Sequence, residues 1–289
     1  MIQERLKALR AEMEKRGITV YVVPTADFHE SEYVGDHFKA RKFITGFTGS
    51  AGTAVITLDE AGLWTDGRYF VQAENQLKDS TVTLYRMGEE GVPTVDEFVK
   101  DRLKEGGCLG FDGRVVNGTW GGKLEKIAAE KNVSMHVTED LIDLIWEDRP
   151  ALSKQPLFIL EEKYSGKSTA DKIADLRKAM KENGADVHIL TSLYDIAWLL
   201  NIRSNDIDYV PVVLSYLVLN ETECIWFLQE EVVDDKIRAY LEENHITTKP
   251  YDAIYDYVPE IPADAVVLMN RGTVNYRIVN SLDTVSYTH

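Results

Sequence analysis

Residues 41–57, R-K-F-I-T-G-F-T-G-S-A-G-T-A-V-I-T, form the stretch on which the predicted fold depends. Gly46, Gly49 and Gly52 recur at every third position, so the backbone must adopt positive φ angles here or approach other atoms closely. A phosphate-binding loop is excluded by the spacing. A dinucleotide loop has two glycines one residue apart before a helix, and a P-loop has a lysine directly after its second glycine. The pattern therefore predicts a tight loop that binds no nucleotide.

A β-hairpin is predicted directly after this loop. Thr53–Leu58 is apolar and β-branched, residues 59–62 form the expected turn, and Leu63–Asp66 forms the returning strand. Arg68 follows the Trp-Thr-Asp-Gly end of that strand. Judged by residue type alone, an arginine in this position is more often exposed or ion-paired than in contact with a ligand.

The size and charge of the chain limit its fold and its partners. Its 289 residues exceed the usual size of one domain, so two domains are expected. The net charge of −16 disfavours binding to nucleic acids or anionic membranes, because proteins bind such partners through clusters of Lys and Arg. No apolar run could span a bilayer or serve as a signal peptide. Cys108 and Cys224 lie far apart in apolar runs, as free thiols do, so we predict a cytoplasmic protein.

The sequence contains an internal repeat on the scale of a domain. Residues 2–23 predict an amphipathic helix that Gly17 closes, followed by an apolar strand. Residues 168–190 repeat this pattern with Gly184 in the place of Gly17, and residues 214–228 repeat the hairpin. We therefore expect two domains of the same fold.

Helices and strands alternate through the rest of both halves. This alternation, with one hairpin in each half, predicts the α/β class: two tandem three-layer α/β/α domains with mixed sheets. Prolines at positions 150 and 156 place the boundary between residues 1–150 and residues 151–289. The predicted helices are Tyr69–Leu77, Val95–Leu103, Leu124–Lys131, Asp235–Glu243, Ala253–Val258 and Val274–Leu282, and the predicted strands are Val82–Tyr85, Leu109–Phe111, Val133–Val137, Thr247–Lys249, Ala265–Met269 and Val285–Tyr287.

Several motifs, in order along the chain, resemble the long, three-domain Xaa-Pro aminopeptidases (aminopeptidase P). P-T-A-D-F-H-E-S-E-Y at 24–33, F-I-T-G-F-T-G-S-A-G-T at 43–53 and L-W-T-D-G-R-Y-F at 63–70 are similar to the first domain of that family. D-L-I-W-E-D-R-P at 143–150 resembles the segment that leads out of it, and D-I-A-W-L-L-N-I-R at 195–203 resembles a motif of the second domain. The resemblance covers nearly the whole chain.

This resemblance implies a metal-dependent hydrolase that removes an N-terminal residue preceding proline from short peptides. In the family, a third, C-terminal domain carries the catalysis, with two divalent metal ions, usually manganese, held by two aspartates, one histidine and two glutamates. None of these ligands maps onto this chain, so we expect it to hold no metal or cofactor, to contribute no catalytic residue and to be inactive alone. The resemblance also implies a homodimer of the full-length protein, and it makes Arg68 a substrate-binding residue.

A loop rich in acids and histidines is the nearest approach to a metal site. A zincin would need a second histidine at the position of Tyr33. We expect instead that the carboxylates cap backbone groups or pair with Arg41 and Lys42. The members of this loop are Asp27, His29, Glu30, Glu32, Asp36 and His37.

Two other functions stay open at this point. One is a non-catalytic binding module, because aminopeptidase-like domains also occur in chromatin-associated chaperones that have lost their metal ligands. The other is a hydrolase of the creatinase or prolidase type, although those have one such N-terminal domain and this chain predicts two.

Overall fold

The computed structural model describes residues 1–282 and 286–287. The chain divides into two units, and each is built on one six-stranded sheet. The first unit contains Met1–Asp27 and Asp36–Ala151. The second contains Phe28–Gly35 and the described residues from Leu152 onward.

The first unit has a mixed sheet with helices in the connections between its strands. The strands are β1 Val20–Pro24, β2 Thr53–Thr57, β3 Ala61–Thr65, β4 Thr83–Arg86, β5 Cys108–Phe111 and β6 Ser134–His136. The helices are α1 Ile2–Lys15, α2 Ala40–Thr45, α3 Phe70–Leu77, α4 Val95–Arg102 and α5 Gly118–Glu130. The strand order is β4-β3-β2-β1-β5-β6. β2 pairs antiparallel with β1 and β3, and the other neighbours are parallel, which requires crossover connections such as α3 and α5.

The six-stranded sheet of the second unit repeats this topology, and the second unit adds a two-stranded sheet. Its strands are β7 Phe158–Ile159, β8 Val187–Leu190, β9 Ile202–Arg203, β10 Ser215–Asn220, β11 Cys224–Leu228, β12 Thr247–Pro250, β13 Val267–Leu268 and β14 Ser286–Tyr287. Its helices are α6 Glu162–Ser165, α7 Thr169–Glu182, α8 Leu193–Leu200, α9 Asp235–Glu243, α10 Ile254–Tyr257 and α11 Tyr276–Asn280. The order β12-β11-β10-β8-β13-β14 has the same parallel and antiparallel pairings as the first sheet. Two tandem α/β domains with mixed sheets are confirmed.

Each sheet has its own apolar core. Leu6, Leu9 and Met13 are spaced so that they share one face of α1, and all three are buried in the core of the first unit. In the second unit, Trp226 of β11 is fully buried, and its indole nitrogen has no hydrogen-bond partner among the described residues. Each large apolar side chain removed from water stabilises its unit by about 1.5–3 kcal/mol, so each unit is stabilised by a core of its own.

The hairpin differs from the sequence prediction at its turn. β2 ends at Thr57 and β3 begins at Ala61, so the predicted turn at 59–62 and strand start at Leu63 are wrong. The Thr57 hydroxyl accepts a hydrogen bond from the Glu60 N–H at 3.0 Å, and the Thr57 N–H donates to the Glu60 carbonyl at 2.9 Å. These bonds close the turn without a glycine. Gly62 therefore lies inside the strand.

We expect Gly62→Ala to destabilise the first unit by about 2 kcal/mol, because the added methyl group overpacks the sheet. A Cβ atom at this position would lie 2.6 Å from the Trp64 ring and 2.7 Å from the Tyr85 ring, and those two rings stack with centroids 4.1 Å apart. Urea unfolding followed by tryptophan fluorescence measures the loss. Gly67→Ala is the matched control, since its Cβ would meet only Phe70, at 3.8 Å. Equal stability of the two variants would contradict the prediction.

Polar caps explain two further differences at helix starts. α5 begins at Gly118, six residues before the predicted Leu124, because the Asn117 side chain accepts from the Trp120 N–H and caps the helix. α11 begins at Tyr276, after Asn275 in the same role.

The predicted strand Val285–Tyr287 starts at a residue outside the described part of the chain. Within the described part, no helix has the length and apolar character needed to cross a bilayer.

Candidate functional site

A buried arginine holds the glycine-rich loop, residues 46–52. Arg41 lies on α2 and is 3% exposed. Its Nη1 donates to the Phe47 carbonyl at 2.6 Å, its Nη2 donates to the Gly49 carbonyl, and its Nε donates to Thr25 Oγ1 at 2.9 Å. Burial lowers the pKa of Arg41 to about 10. The expected pairing of Arg41 with a carboxylate is wrong, because two of its nitrogens donate to loop carbonyls and the third donates to Thr25.

Two glycines of this loop are needed for different reasons. Gly46 ends α2 with a φ of 78°, a left-handed conformation that favours glycine. At Gly49 a Cβ atom would lie only 2.2 Å from the Phe47 ring. The predicted requirement for positive φ or close approach is confirmed at these positions.

The loop is tied to the end of β3, where Arg68 follows. Thr65 Oγ1 donates to the Ala51 carbonyl at 2.7 Å. The hydroxyl oxygens of Ser50 and Tyr69 are 2.6 Å apart, so one donates to the other. The glycine-rich loop and the strand end therefore form one hydrogen-bonded support for the residues around Arg68.

Arg68 itself is exposed and held in a fixed orientation by Asp66. Its Nε donates to Asp66 Oδ1 at 2.8 Å and its Nη2 donates to Oδ2 at 2.9 Å. The Arg68 backbone N–H also donates to Oδ1, at 3.1 Å. These bonds lower the pKa of Asp66 to about 2, so its carboxylate is ionised at any physiological pH. The guanidinium carbon lies 5.2 Å from the centre of the Tyr69 ring, and 71% of the side chain is exposed.

A second Asp-Gly-Arg turn, after β5, has the same geometry. Arg114 donates from Nε to Asp112 Oδ1 at 3.0 Å, from Nη2 to Oδ2 at 3.1 Å and from its backbone N–H to Oδ1 at 2.9 Å. The two copies differ in exposure, since Arg114 is 22% and Asp112 4% exposed. Burial raises the pKa of Asp112, and the Arg114 charge opposes that rise. The Asp-Gly-Arg tripeptide occurs twice in the sequence. Its recurrence indicates that the two-point pairing of Arg with Asp is a property of this local turn.

The acidic and histidine-rich loop is divided between the two units. Asp36 pairs with Lys39, and His37 Nδ1 lies 2.7 Å from the Pro150 carbonyl, all within the first unit. His29 belongs to the second unit, although the sequence places it in the domain 1–150. Among the described residues, no group of three or more His, Cys, Asp or Glu side chains could hold a metal ion.

Hydrogen bonds explain why the segment Phe28–Gly35 belongs to the second unit. The His29 side chain is buried. Its Nδ1 is 3.0 Å from the Thr191 carbonyl oxygen, and its Nε2 is 2.6 Å from the Tyr251 hydroxyl oxygen. A carbonyl only accepts, so Nδ1 carries the proton and Nε2 accepts from Tyr251. The Asn275 side chain donates to the Phe28 carbonyl at 3.2 Å.

We expect Tyr251→Phe to lower the free energy of unfolding of the second unit by about 1–2 kcal/mol, because a buried imidazole nitrogen loses its donor. Tyr209→Phe is the control, since Tyr209 is 90% exposed. Thermal unfolding measures both variants. Equal melting temperatures for the two would show that the bond to His29 contributes nothing.

Comparison with known proteins identifies the family. Residues 5–145 match the Creatinase/Prolidase N-terminal domain, and residues 148–289 match a second domain of that description. The chain belongs to this family, as two consecutive domains that correspond to the N-terminal region of aminopeptidase P.

Named relatives agree with this assignment. A probable Xaa-Pro aminopeptidase P of Sordaria macrospora is 42% identical over 255 residues, which are 87% of this chain and 41% of the relative. Aminopeptidase P2 of Arabidopsis thaliana is 35% identical over 97% of this chain and 40% of its own length. The crystal structure of X-prolyl aminopeptidase from Caenorhabditis elegans, described as a cytosolic enzyme with a di-nuclear active site, matches with a TM-score of 0.93 and 31% identity. This chain covers 50% of the length of the Caenorhabditis elegans protein. It therefore spans about half or less of the length of these three relatives.

Proposed function

We propose that this chain is the N-terminal part of a metal-dependent Xaa-Pro aminopeptidase and supplies part of its substrate cleft. Arg68 carries the proposal. It lies in the W-T-D-G-R sequence, its guanidinium is exposed, and Asp66 fixes its orientation. A pre-oriented arginine on rigid elements binds a peptide oxygen at a lower entropic cost than a mobile side chain does.

Catalysis would belong to a C-terminal domain of the full-length protein. We propose that this domain holds two divalent metal ions and that they are manganese. The described residues of this chain offer no ligand set that fits them. When bound in that domain, the metals would polarise the scissile carbonyl and activate water. The contribution of this chain would be to bind and orient short peptides with proline in second position. We further propose that the full-length enzyme is cytoplasmic and a homodimer.

The full-length protein, expressed with its proposed C-terminal domain, tests the proposal. We expect it to cleave Gly-Pro-Gly in the presence of Mn²⁺, to leave Gly-Ala-Gly intact and to lose activity in EDTA. The chain of 289 residues, assayed in parallel, should cleave neither peptide. If the full-length protein binds Xaa-Pro peptides but does not cleave them, a non-catalytic binding module replaces the enzyme as the best account.

A further inference from the structure

The hydrogen bonds of Arg68 leave one edge of its guanidinium unused. A guanidinium has five N–H donors in a planar fork. Asp66 takes the edge formed by Nε and Nη2, at 2.8 and 2.9 Å. No other described residue accepts a hydrogen bond from the Arg68 side chain, so the edge formed by Nη1 and the second hydrogen of Nη2 faces solvent. Arg68 can therefore hold Asp66 and a ligand oxygen at the same time.

The charge of this edge is partly compensated. The Asp66 carboxylate binds the other edge of the guanidinium, so the pair has no net charge and a ligand feels a weaker attraction than an unpaired arginine would give. The chain adds no excess of positive charge, because its net charge is −16. An approaching anion is attracted by Arg68 and repelled by Asp66, whereas a neutral carbonyl oxygen still finds two oriented donors.

We propose that Asp66 is a specificity-determining residue that converts Arg68 from an anion site into a receptor for neutral peptide carbonyls. The inference rests on the proposed function and names the group that this site takes: a backbone carbonyl, not the terminal carboxylate of the peptide. Peptides with a free C-terminus and their amides would then be equivalent substrates at this position. Because the pKa of Asp66 is about 2, the carboxylate stays ionised and the compensation holds throughout the neutral range.

The test compares Gly-Pro-Gly with Gly-Pro-Gly-amide in the full-length enzyme. For the native protein we expect kcat/KM values within about twofold of each other and little dependence on salt from about 50 to 300 mM NaCl, conditions that screen exposed charges. Asp66→Asn keeps the shape and one acceptor oxygen but removes the negative charge. For this variant, kcat/KM should be about 3- to 10-fold higher for the free acid than for the amide, because KM for the free acid is lower. This preference should fall as the salt concentration rises.

Two outcomes overturn the inference while the proposed function stands. One is a native enzyme that already prefers the free acid about fivefold or more. The other is an Asp66→Asn variant that loses activity on both peptides equally, which would indicate a structural role only.

A failure of the proposed function can be recognised separately. If the full-length protein cleaves no Xaa-Pro peptide, the charge compensation is tested on this chain by titrating acetate and following the side-chain Nε–H signals of its arginines by NMR. The Arg68 signal should shift saturably in Asp66→Asn and not in the native chain, and the signal of Arg114, the more buried copy of the turn, serves as the internal control. A saturable shift of Arg68 in the native chain would overturn the inference.

Discussion

Replacing Arg68 by alanine in the full-length enzyme is expected to lower kcat/KM for Xaa-Pro peptides by about 10- to 150-fold, the effect of losing a charge-assisted hydrogen bond to substrate. The stability of the protein should not change, because the side chain is 71% exposed and bonds only to Asp66 among the described residues. Peptide kinetics and thermal unfolding, measured on the same preparation, separate the two effects.

Two further variants make this result specific. Arg68→Lys should recover only part of the activity, since an ammonium group is a point charge without a planar fork. Arg86→Ala is the matched control, because Arg86 is 37% exposed and pairs with Glu74 and Glu89 in the same unit. Unchanged kinetics for Arg68→Ala together with a lowered melting temperature would show that Arg68 serves the fold and not the substrate.

Arg41→Met is expected to give the largest loss of stability, about 3 kcal/mol in the free energy of unfolding of the first unit. The methionine fills much of the same volume, but it leaves the carbonyls of Phe47 and Gly49 without their buried donor. Arg41→Lys should restore about 1 kcal/mol, because one ammonium cannot reach all three acceptors. Urea unfolding of this chain measures both variants.

The control for Arg41 is again a change at Arg86, here Arg86→Met, because Arg86 is partly exposed and its ion pairs are worth about 0–1 kcal/mol. If Arg41→Met were as stable as Arg86→Met, solvent would have to satisfy the carbonyls of the loop, and the support for Arg68 would not depend on Arg41. In the full-length enzyme, Arg41→Met should also lower activity, because the loop bonded to Thr65 and Tyr69 loses its anchor.

The repeat and the alternation of elements were sufficient to predict the fold class. They did not predict the strand order, because a strand's neighbour is decided by contacts that are distant in sequence. The turn of the hairpin was missed because Gly62 was assigned to the turn. Glycine is required there instead because a Cβ atom would collide with the stacked rings of Trp64 and Tyr85. Those two residues are distant from each other in sequence, so the sequence does not show that their rings stack.

The candidate site was predicted only in part. The resemblance identified Arg68, but its partner Asp66 was not assigned a role, although the tripeptide Asp-Gly-Arg occurs twice, each time directly after a strand. The role of Arg41 could not be predicted, because a buried cation that bonds to carbonyls leaves no charge pattern in the sequence. The expected pairing of the acidic loop with Arg41 was wrong, and its expected lack of a metal stays a prediction. The role of Arg68 as a substrate contact stays a prediction.

The position of Phe28–Gly35 has a consequence for how such a protein could evolve. Eight residues encoded within the first repeat complete the fold of the second. A single genetic crossover near Pro150 would therefore deliver an incomplete second domain, in which Tyr251 and Thr191 lack His29. The two repeats are alike in topology, yet an exchange of the second repeat alone would lose the bonds that His29 makes within it.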